Sequence, residues 1–469
     1  MSVTERVADR QIDPLKQEHL TDLGNARRLV AMRGQDILYQ LPDGPYLVWD
    51  GMRFTDDAGA VQLERMAQET IYAMHADAIY ATEDETERRA RIKHALASES
   101  RRAIASMVAL VRSQPGISVR ADQLDSDGSL LNVLNGTVEL NNEARVREPR
   151  REDRITKLIP VNYKPDAQCA VWLAFLDRVL GGNRELIGFL RRFLGYSLTG
   201  RTNEQVIAIA HGGGANGKTT FLQAAKMILG DYGQSVPMDT FLVNKHVDTA
   251  RPDLARLRGA RFVAAVESDS GRRFAEGLVK LVTGQDTIVA RRLYREHFEF
   301  TPTFKVIIAT NHRPVIRGTD EAIWRRIRLV PFTVTIPPNE RDRELPDKLQ
   351  AEREGILAWA IQGCLEWQRD GLGMPKDIED ATGAYRQDMD ILGDFIKAHC
   401  TVNAQQSATA AALYESYITW AHKTGEKPMT QKAFGLALRE RGFEAKQIGK
   451  DRERTWFGIG LAVQETIPF

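Results

Sequence analysis

The feature that most constrains this chain is a glycine-rich stretch near its middle, preceded by a short apolar run. Residues 206–210 (VIAIA) are all apolar and predict a short buried strand. Residues 212–219 match the pattern G-x-x-x-x-G-K-[ST], and a helical pattern begins near Thr220. In this order the glycines let successive backbone N–H groups converge, and the helix N-terminus adds a partial positive charge. The sequence therefore predicts a site for the phosphates of a nucleoside triphosphate.

Two side chains of this loop are expected to bind the phosphates and the metal ion of the nucleotide. We expect Lys218 to contact the β- and γ-phosphates and the Thr219 hydroxyl to hold Mg²⁺. The residues expected to line the nucleotide are Gly212, Gly213, Gly214, Ala215, Asn216, Gly217, Lys218, Thr219 and Thr220. A glycine-rich turn that binds nothing is the alternative, and the strand and helix on either side count against it.

A second apolar run, residues 262–266 (FVAAV), predicts a buried strand that leads directly to Glu267, with Asp269 two residues on. A carboxylate there can hold Mg²⁺ through water or orient the water that attacks the γ-phosphate. Thr219, Glu267 and Asp269 are therefore the metal candidates. We favour Glu267 for the catalytic role, while the pattern leaves the division of work between the two acids open. A solvated acid at a strand end is the alternative.

A third apolar run, residues 304–310 (FKVIIAT), predicts a strand that ends on Asn311. An amide at that position can hydrogen-bond the attacking water and report hydrolysis. The alternative is an asparagine that only forms a turn before Arg313 and Pro314, because Asn is common in turns.

Between these two strands, residues 287–300 (TIVARRLYREHFEF) have the pattern of a hairpin with a basic tip. Arg295, Glu296 and His297 are expected near that tip. Basic and aromatic side chains there suit phosphate and stacking contacts with single-stranded DNA, and a solvated charged turn is an equal alternative. The candidate DNA contacts are Arg292, Tyr294, Arg295 and His297.

A pair of arginines, Arg325 and Arg326, precedes one more apolar run, residues 329–332. An arginine supplied by a neighbouring subunit can neutralise charge in the transition state of phosphoryl transfer. We favour Arg326 over Arg325 for this role. Ion pairing at the surface is the alternative for either side chain.

Composition limits the class of protein without deciding its function. The chain has 469 residues, which suggests three or four domains, and its net charge of +1 argues neither for nor against nucleic acid. It has no apolar run long enough to cross a bilayer, and its charged N-terminus does not resemble a signal peptide. Cys169, Cys364 and Cys400 show no CxxC spacing, which predicts reduced thiols in a cytosol-like compartment.

The regions on either side of the nucleotide motif have patterns of their own. Hairpin signals at residues 42–44 (PDG) and 135–136 (NG), separated by helical spacing, predict an N-terminal α+β region. Residues 171–198 predict two helices that either form a collar between subunits or belong to the core of the nucleotide domain. After residue 390, three amphipathic helices precede a charged segment between short strands, residues 446–460. This order suggests a winged helix, which could bind duplex DNA or another protein.

Several stretches, taken together, resemble a superfamily 3 DNA helicase, most closely the helicase half of phage and plasmid primase-helicases, a group that includes the poxvirus primase-helicase. The stretches that carry the resemblance are residues 21–26 (TDLGNA), 131–136 (LNVLNG), 195–200 (GYSLTG), 216–218 (NGK), Glu267, 280–286 (KLVTGQD), 291–294 (RRLY), 309–314 (ATNHRP) and 324–326 (WRR). Gln285 departs from the family, which often has a second glycine there.

The resemblance implies an AAA+-type ATPase fold, a ring of six subunits with ATP and Mg²⁺ at the subunit interfaces, and 3′ to 5′ movement on single-stranded DNA. It also assigns roles by position. The matching positions are Lys218 and Thr219 in the phosphate loop, Glu267 in the acidic motif, Asn311 as sensor, Arg295 and His297 on the central-channel hairpin, and Arg325 or Arg326 in the arginine-finger region. Residues 1–20 alone precede the matching region, so we expect primer synthesis to belong to a separate primase.

We therefore expect an α/β protein with an AAA+-type P-loop core, an N-terminal α+β and helical collar region, and a C-terminal winged-helix domain. The expected parts are a mobile arm (1–20), an accessory domain (21–160), a helical collar (161–200), the ATPase core (201–345), a helical lid or connector (346–389) and a winged-helix-like domain (390–469).

The expected function is ATP-driven unwinding of forked DNA by a homo-hexamer, in replication of a phage, plasmid or mobile element in a bacterial cytoplasm. One alternative is an ATP-dependent remodelling or loading factor that does not unwind DNA. The other is an origin-binding scaffold.

Overall fold

The computed structural model of the chain describes residues 18–42, 44–80, 83–141, 143–243, 251–266, 273–291, 296–317, 321–448 and 452–462. Its N-terminal part mixes helices with short strands. The helices are α1 (Asp22–Arg33), α2 (Val61–Tyr80), α3 (Glu85–Ser98) and α4 (Arg101–Val111), and the strands are β1 (Ile37–Leu41), β2 (Tyr46–Trp49), β3 (Phe54–Asp56), β4 (Ser118–Arg120), β5 (Leu130–Val133), β6 (Gly136–Glu139) and β7 (Arg145–Arg147).

Strands β1 to β4 form one sheet in the order β3-β2-β1-β4, and α1, α2 and α4 pack against it. β1 and β2 are the antiparallel hairpin that the sequence predicts, and β4 joins β1 in parallel. Fully buried residues from both layers, among them Leu29, Ile37, Leu63 and Met107, form the core of this α+β region.

The stretch of residues 21–26, which contributes to the family resemblance, is explained by local structure. The Thr21 hydroxyl caps α1 by accepting a hydrogen bond from the Gly24 N–H at 3.1 Å. Asn25 is fully buried, and its Nδ2 donates to Ser98 Oγ at 2.9 Å, which ties α1 to α3.

A second buried asparagine connects the β5–β7 sheet to its surroundings. Asn132 lies in β5, and its Nδ2 donates to the carbonyl oxygens of Met52 at 3.2 Å and Lys157 at 3.3 Å. β5, β6 and β7 pair antiparallel in chain order.

The central part of the chain alternates strands and helices. Its elements are α5 (Ala170–Val179), α6 (Arg184–Leu198), β8 (Ile207–His211), α7 (Lys218–Leu229), β9 (Gly233–Pro237), α8 (Pro252–Ala255), β10 (Phe262–Val266), α9 (Glu276–Thr283), β11 (Ile288–Arg291), β12 (His297–Phe300), β13 (Lys305–Thr310), α10 (Glu321–Trp324), β14 (Ile327–Pro331), α11 (Leu345–Ala351), α12 (Arg353–Asp370) and α13 (Lys376–Asp388).

Among these elements, β14, β8, β13, β10 and β9 form a sheet in that order, and every neighbouring pair is parallel. Both faces of the sheet are covered. Ala208 and Ala210 of β8 belong to a core on one face, whereas Ile207 and Ile209 belong to a core on the other. A parallel sheet buried on both faces explains why its strands read as continuous apolar runs.

The helices predicted as a collar belong to the core of this domain. The buried faces of α5 and α6 share one hydrophobic cluster with the sheet and α12. At the crossing of α6 and α12, a Cβ on Gly195 would lie 2.0 Å from the backbone N of Cys364, and one on Gly363 would lie 2.1 Å from the Arg191 carbonyl oxygen. Of the two alternatives for these helices, the structure therefore favours intradomain core.

Two buried cations mark the amino edge of the sheet, where its strands begin. Lys305 is 2% exposed, and its Nζ donates to the carbonyl oxygens of Thr199, Arg201 and Thr303. Its neighbour Arg261 donates through Nη1 to the Leu198 carbonyl oxygen at 2.6 Å. Burial, with a smaller contribution from Arg261, lowers the pKa of Lys305 well below its ordinary value.

The C-terminal part has its own sheet and its own core. Its elements are α14 (Ile391–His399), β15 (Cys400–Thr409), α15 (Ala410–Thr424), α16 (Gln431–Glu440), β16 (Glu444–Ile448) and β17 (Glu453–Leu461). The three helices and the β16–β17 hairpin match the sequence pattern, whereas β15, which pairs with β17, was not predicted. Phe395, Tyr417, Phe434 and Trp456 are buried at its centre.

Within the described ranges, no helix combines the length and the apolar composition needed to cross a bilayer.

Candidate nucleotide site

The predicted phosphate loop connects β8 to α7 and is open on one side. Gly217 has φ of 82°, a left-handed conformation that favours glycine. A Cβ on Gly212 would lie 2.0 Å from the Phe332 carbonyl oxygen, so the inner side of the loop is closely packed. By contrast, apart from each glycine's own neighbours in the chain, no atom of the described residues lies within 4 Å of a Cβ built on Gly213 or Gly214. The loop therefore has an uncovered backbone that a phosphate can approach closely.

Lys218, the first residue of α7, is held against this loop. It is 6% exposed, and its Nζ donates to Gly212 O at 2.6 Å, Asn216 Oδ1 at 2.9 Å and Asn311 Oδ1 at 3.0 Å. Thr219 and Thr220 follow in the first turn of α7, with Thr219 exposed. The Lys218 ammonium group and the Thr219 hydroxyl group therefore both belong to the N-terminus of α7.

Strand order explains why Asn311 meets Lys218. β13 lies next to β8, and Thr310 pairs with His211, so the residues that follow these two strands are neighbours. Asn311 is exposed. The structure thereby brings together two predicted site residues that are far apart in the sequence.

The predicted acids, Glu267 and Asp269, lie outside the described residues. The strand that precedes them is in place, because β10 ends at Val266, which pairs with Ala309 near the end of β13. The carboxyl end of β10 is therefore at the same edge of the sheet as the phosphate loop.

The predicted basic hairpin is observed in part. β11 and β12 pair antiparallel, with Arg291 opposite His297. His297 is exposed and is the first residue of β12, so it lies near the turn of the hairpin, as expected. The other three DNA candidates, Arg292, Tyr294 and Arg295, lie outside the described residues.

The two arginines of the predicted finger region differ sharply in environment. Arg326 is 8% exposed, and it donates to Thr283 Oγ1 at 3.1 Å and to the Ala322 carbonyl oxygen at 2.6 Å. Arg325 is exposed. Because Arg326 is buried and hydrogen-bonded within its own chain, the structure argues against our preference for it, and Arg325 becomes the stronger candidate for a contact in trans.

Two cationic or titratable side chains near the site were missed by the sequence argument. Burial, together with the charges of Arg313 and Lys218, lowers the pKa of His211 at the end of β8. Arg313 pairs with Asp388 of α13 at 2.9 Å. Their positions beside the phosphate loop and beside Asn311 were the available signal. Two cationic side chains, Lys218 and Arg313, therefore lie near His211 at the carboxyl edge of the sheet, and Arg313 is paired with a carboxylate.

The fold and the site together define a mixed α/β protein whose parallel sheet carries an open phosphate-type loop at its carboxyl edge. Residues 26–181 match the family model described as D5 N terminal like, and residues 210–326 match a family of unknown function, DUF5906. The protein named "Putative helicase L207/L206" of Acanthamoeba polyphaga mimivirus is 28% identical over 336 residues, which are 65% of this chain and 34% of that protein. The protein named "Putative primase C962R" of African swine fever virus is 24% identical over 317 residues, 62% of this chain and 32% of that protein.

These matches confirm the resemblance to the viral primase-helicase family, and the chain is primase-helicase-like. It spans about a third of the length of these curated relatives. Among solved structures, the apo C-terminal region (305–718) of NrS-1 is similar, with a TM-score of 0.52 and 11% identity over 96% of this chain and 100% of that one. This likeness confirms the mixed α/β fold.

Proposed function

We propose that this chain is an ATP-driven DNA helicase that acts in replication. The observation that carries the proposal is the meeting of Lys218 and Asn311, with Nζ and Oδ1 3.0 Å apart, beside a glycine loop whose outer side is open. A lysine and a polar amide in this position are what a γ-phosphate and its attacking water require. The names of the relatives supply the link to helicases and primases.

The residues present fit a nucleoside triphosphate with Mg²⁺. The open positions at Gly213 and Gly214 leave room for phosphate oxygens against backbone N–H groups. Lys218 would bind the β- and γ-phosphates, Thr219 would hold Mg²⁺, and Asn311 would orient the attacking water. Glu267 would be the general base or a metal ligand, with Asp269 as the second acid.

The proposal extends to a ring of six subunits that moves 3′ to 5′ on single-stranded DNA. The exposed position of Arg325, before the amino end of β14, supports a role at the ATP site of a neighbouring subunit. The β11–β12 hairpin supports a DNA-contacting loop in the channel, with Arg292, Tyr294, Arg295 and His297 as contacts.

The C-terminal part would add a second DNA contact. Its helices and its β16–β17 hairpin have the composition of a winged helix, and Lys446 and Arg454 are exposed on the hairpin. Exposed basic side chains of this kind contact duplex phosphates. Forked DNA and a separate primase are the partners that this arrangement would serve, in a phage, plasmid or mobile element.

Strand displacement tests the proposal. A 3′-tailed and a 5′-tailed duplex are incubated with ATP and either the wild type or Lys218→Ala. We expect displacement of the 3′-tailed duplex alone, and its loss in the variant, because the Lys218 ammonium group contacts the loop at Gly212. DNA-stimulated ATPase without displacement would favour a loading factor, and DNA binding without ATPase would favour an origin-binding scaffold.

A further inference from the structure

We propose that Asn216 is a positioning residue that holds both Lys218 and the phosphate loop in place for nucleotide binding. The inference rests on the proposed function, since it concerns the same site. Asn216 is 3% exposed, so its amide is not a surface group that contacts a phosphate from solvent.

Both the oxygen and the nitrogen of the Asn216 side-chain amide form hydrogen bonds. Its Oδ1 accepts from Lys218 Nζ at 2.9 Å. Its Nδ2 donates to the carbonyl oxygens of Gly213, within the loop, and Phe332, at 3.2 Å. One side chain therefore links the cation, the loop and the segment that follows β14.

The link to Phe332 anchors the loop to a rigid part of the fold. Phe332 is fully buried, and its N–H donates to the His211 carbonyl oxygen at 2.7 Å, at the end of the strand that enters the loop. Four residues on, the Ile336 N–H donates to the Ala215 carbonyl oxygen at 2.8 Å. Residues 332–336 thus run beside the loop, and the Asn216 side chain adds a hydrogen bond between this segment and the loop.

The chemistry requires an asparagine here. An aspartate would keep an acceptor for Lys218, but it would lack the N–H donors for Gly213 and Phe332 and would place a carboxylate against two carbonyl oxygens. An alanine would remove all of these contacts. Without its Oδ1 partner, Lys218 would lose one of the acceptors that fix its Nζ over the loop, so its position would no longer be set before the phosphate arrives.

The experiment is a set of ATP dissociation constants, measured by calorimetry with Mg²⁺ present, on the full chain. The variants are Asn216→Ala, Asn216→Asp, Lys218→Ala, the double variant Asn216→Ala/Lys218→Ala, and Asn132→Ala. Asn132 is the matched control, because it is also buried and also donates to two backbone carbonyl oxygens, but away from the loop.

We expect Asn216→Ala and Asn216→Asp each to raise the dissociation constant about tenfold to a hundredfold, the effect of hydrogen bonds to a charged group. The double variant should bind more tightly than the sum of the two single effects predicts, because part of the effect of Asn216 acts through Lys218. Asn132→Ala should lower the melting temperature and leave the dissociation constant unchanged.

Two outcomes would overturn the role of Asn216 while leaving the proposed function intact. One is wild-type affinity in Asn216→Ala, and the other is full additivity of the two substitutions. A wild type that binds no ATP, or that binds it as weakly as Lys218→Ala, would instead remove the proposed function itself.

Discussion

Lys218 and Lys305 are both buried against the central sheet, and they lie at its opposite edges. At the amino edge, the acceptors of Lys305 among the described residues are all backbone carbonyl oxygens, those of Thr199, Arg201 and Thr303. At the carboxyl edge, Lys218 donates to one carbonyl oxygen and to the side-chain amides of Asn216 and Asn311. The first arrangement is fixed by the backbone, whereas the second depends on side chains.

This difference separates a cation that serves the fold from one that serves a ligand. The acceptors of Lys305 follow α6 and precede β13, so that lysine joins two elements of one core. Lys218 lies beside Gly213 and Gly214, whose outer side is uncovered. Lys218 therefore lies beside space that an anion could enter, whereas Lys305 lies among backbone carbonyl oxygens.

The two arginines before β14 differ in the same way, and replacing them gives the largest expected effect. Arg325→Ala should lower the ATPase rate on the order of a thousandfold, as loss of an arginine supplied in trans does, and leave ATP affinity near the wild-type value. Arg326→Ala should instead reduce stability, because Arg326 is hydrogen-bonded to Thr283 and to Ala322 of its own chain.

Mixing two variants tests whether Arg325 acts on the ATP site of a neighbouring subunit or only forms ion pairs at the surface. Arg325→Ala and Lys218→Ala are each inactive by expectation, but a mixed ring contains interfaces where an intact Lys218 faces an intact Arg325. Partial recovery of ATPase activity on mixing supports a contact in trans. No recovery, with each variant folded and assembled, would count against it.

The next effect in size is the loss of stability when Lys305 is replaced. Lys305→Met fills similar volume but leaves the carbonyl oxygens of Thr199, Arg201 and Thr303 without their donor, so we expect a loss of about 3 kcal/mol in the free energy of unfolding. Urea unfolding measures the loss. ATP affinity of the folded variant should equal that of the wild type, and a variant with wild-type stability and weakened ATP binding would reverse the comparison.

The sequence predicted those parts of the site whose chemistry is set by a local pattern of residues. The phosphate loop and the strand that ends on Asn311 were both indicated, because glycine spacing and apolar runs are local signals. Strand order was not indicated, yet it is what brings Asn311 to Lys218. The meeting of two predicted residues therefore needed the fold.

The sequence did not show which of the candidate side chains are buried. Arg325 and Arg326 are adjacent and chemically identical, and only the packing of Thr283 and Ala322 around one of them tells them apart. Strand β15 was missed for a related reason. More than half of its residues are exposed and more than half are polar, without a regular alternation of apolar and polar residues, and it is a strand because β17 pairs with it.

The smallest predicted effect is a pH dependence that belongs to the amino edge. Burial lowers the pKa of Lys305 in the folded chain, so between that pKa and the ordinary value of 10.5 the unfolded chain holds more protons than the folded one. Stability from this residue therefore rises with pH across that window, by at most about 1.4 kcal/mol per pH unit.

Lys305→Met lacks the effect, so the stability gap between wild type and variant should widen as pH is raised toward 10.5. Urea unfolding at pH 7, 8 and 9 measures the gap, and Lys226→Met, at an exposed lysine of α7, controls for the loss of one positive charge. A gap that stays constant from pH 7 to 9 would mean that the folded chain keeps the Lys305 proton throughout, held by its carbonyl acceptors against the cost of burial.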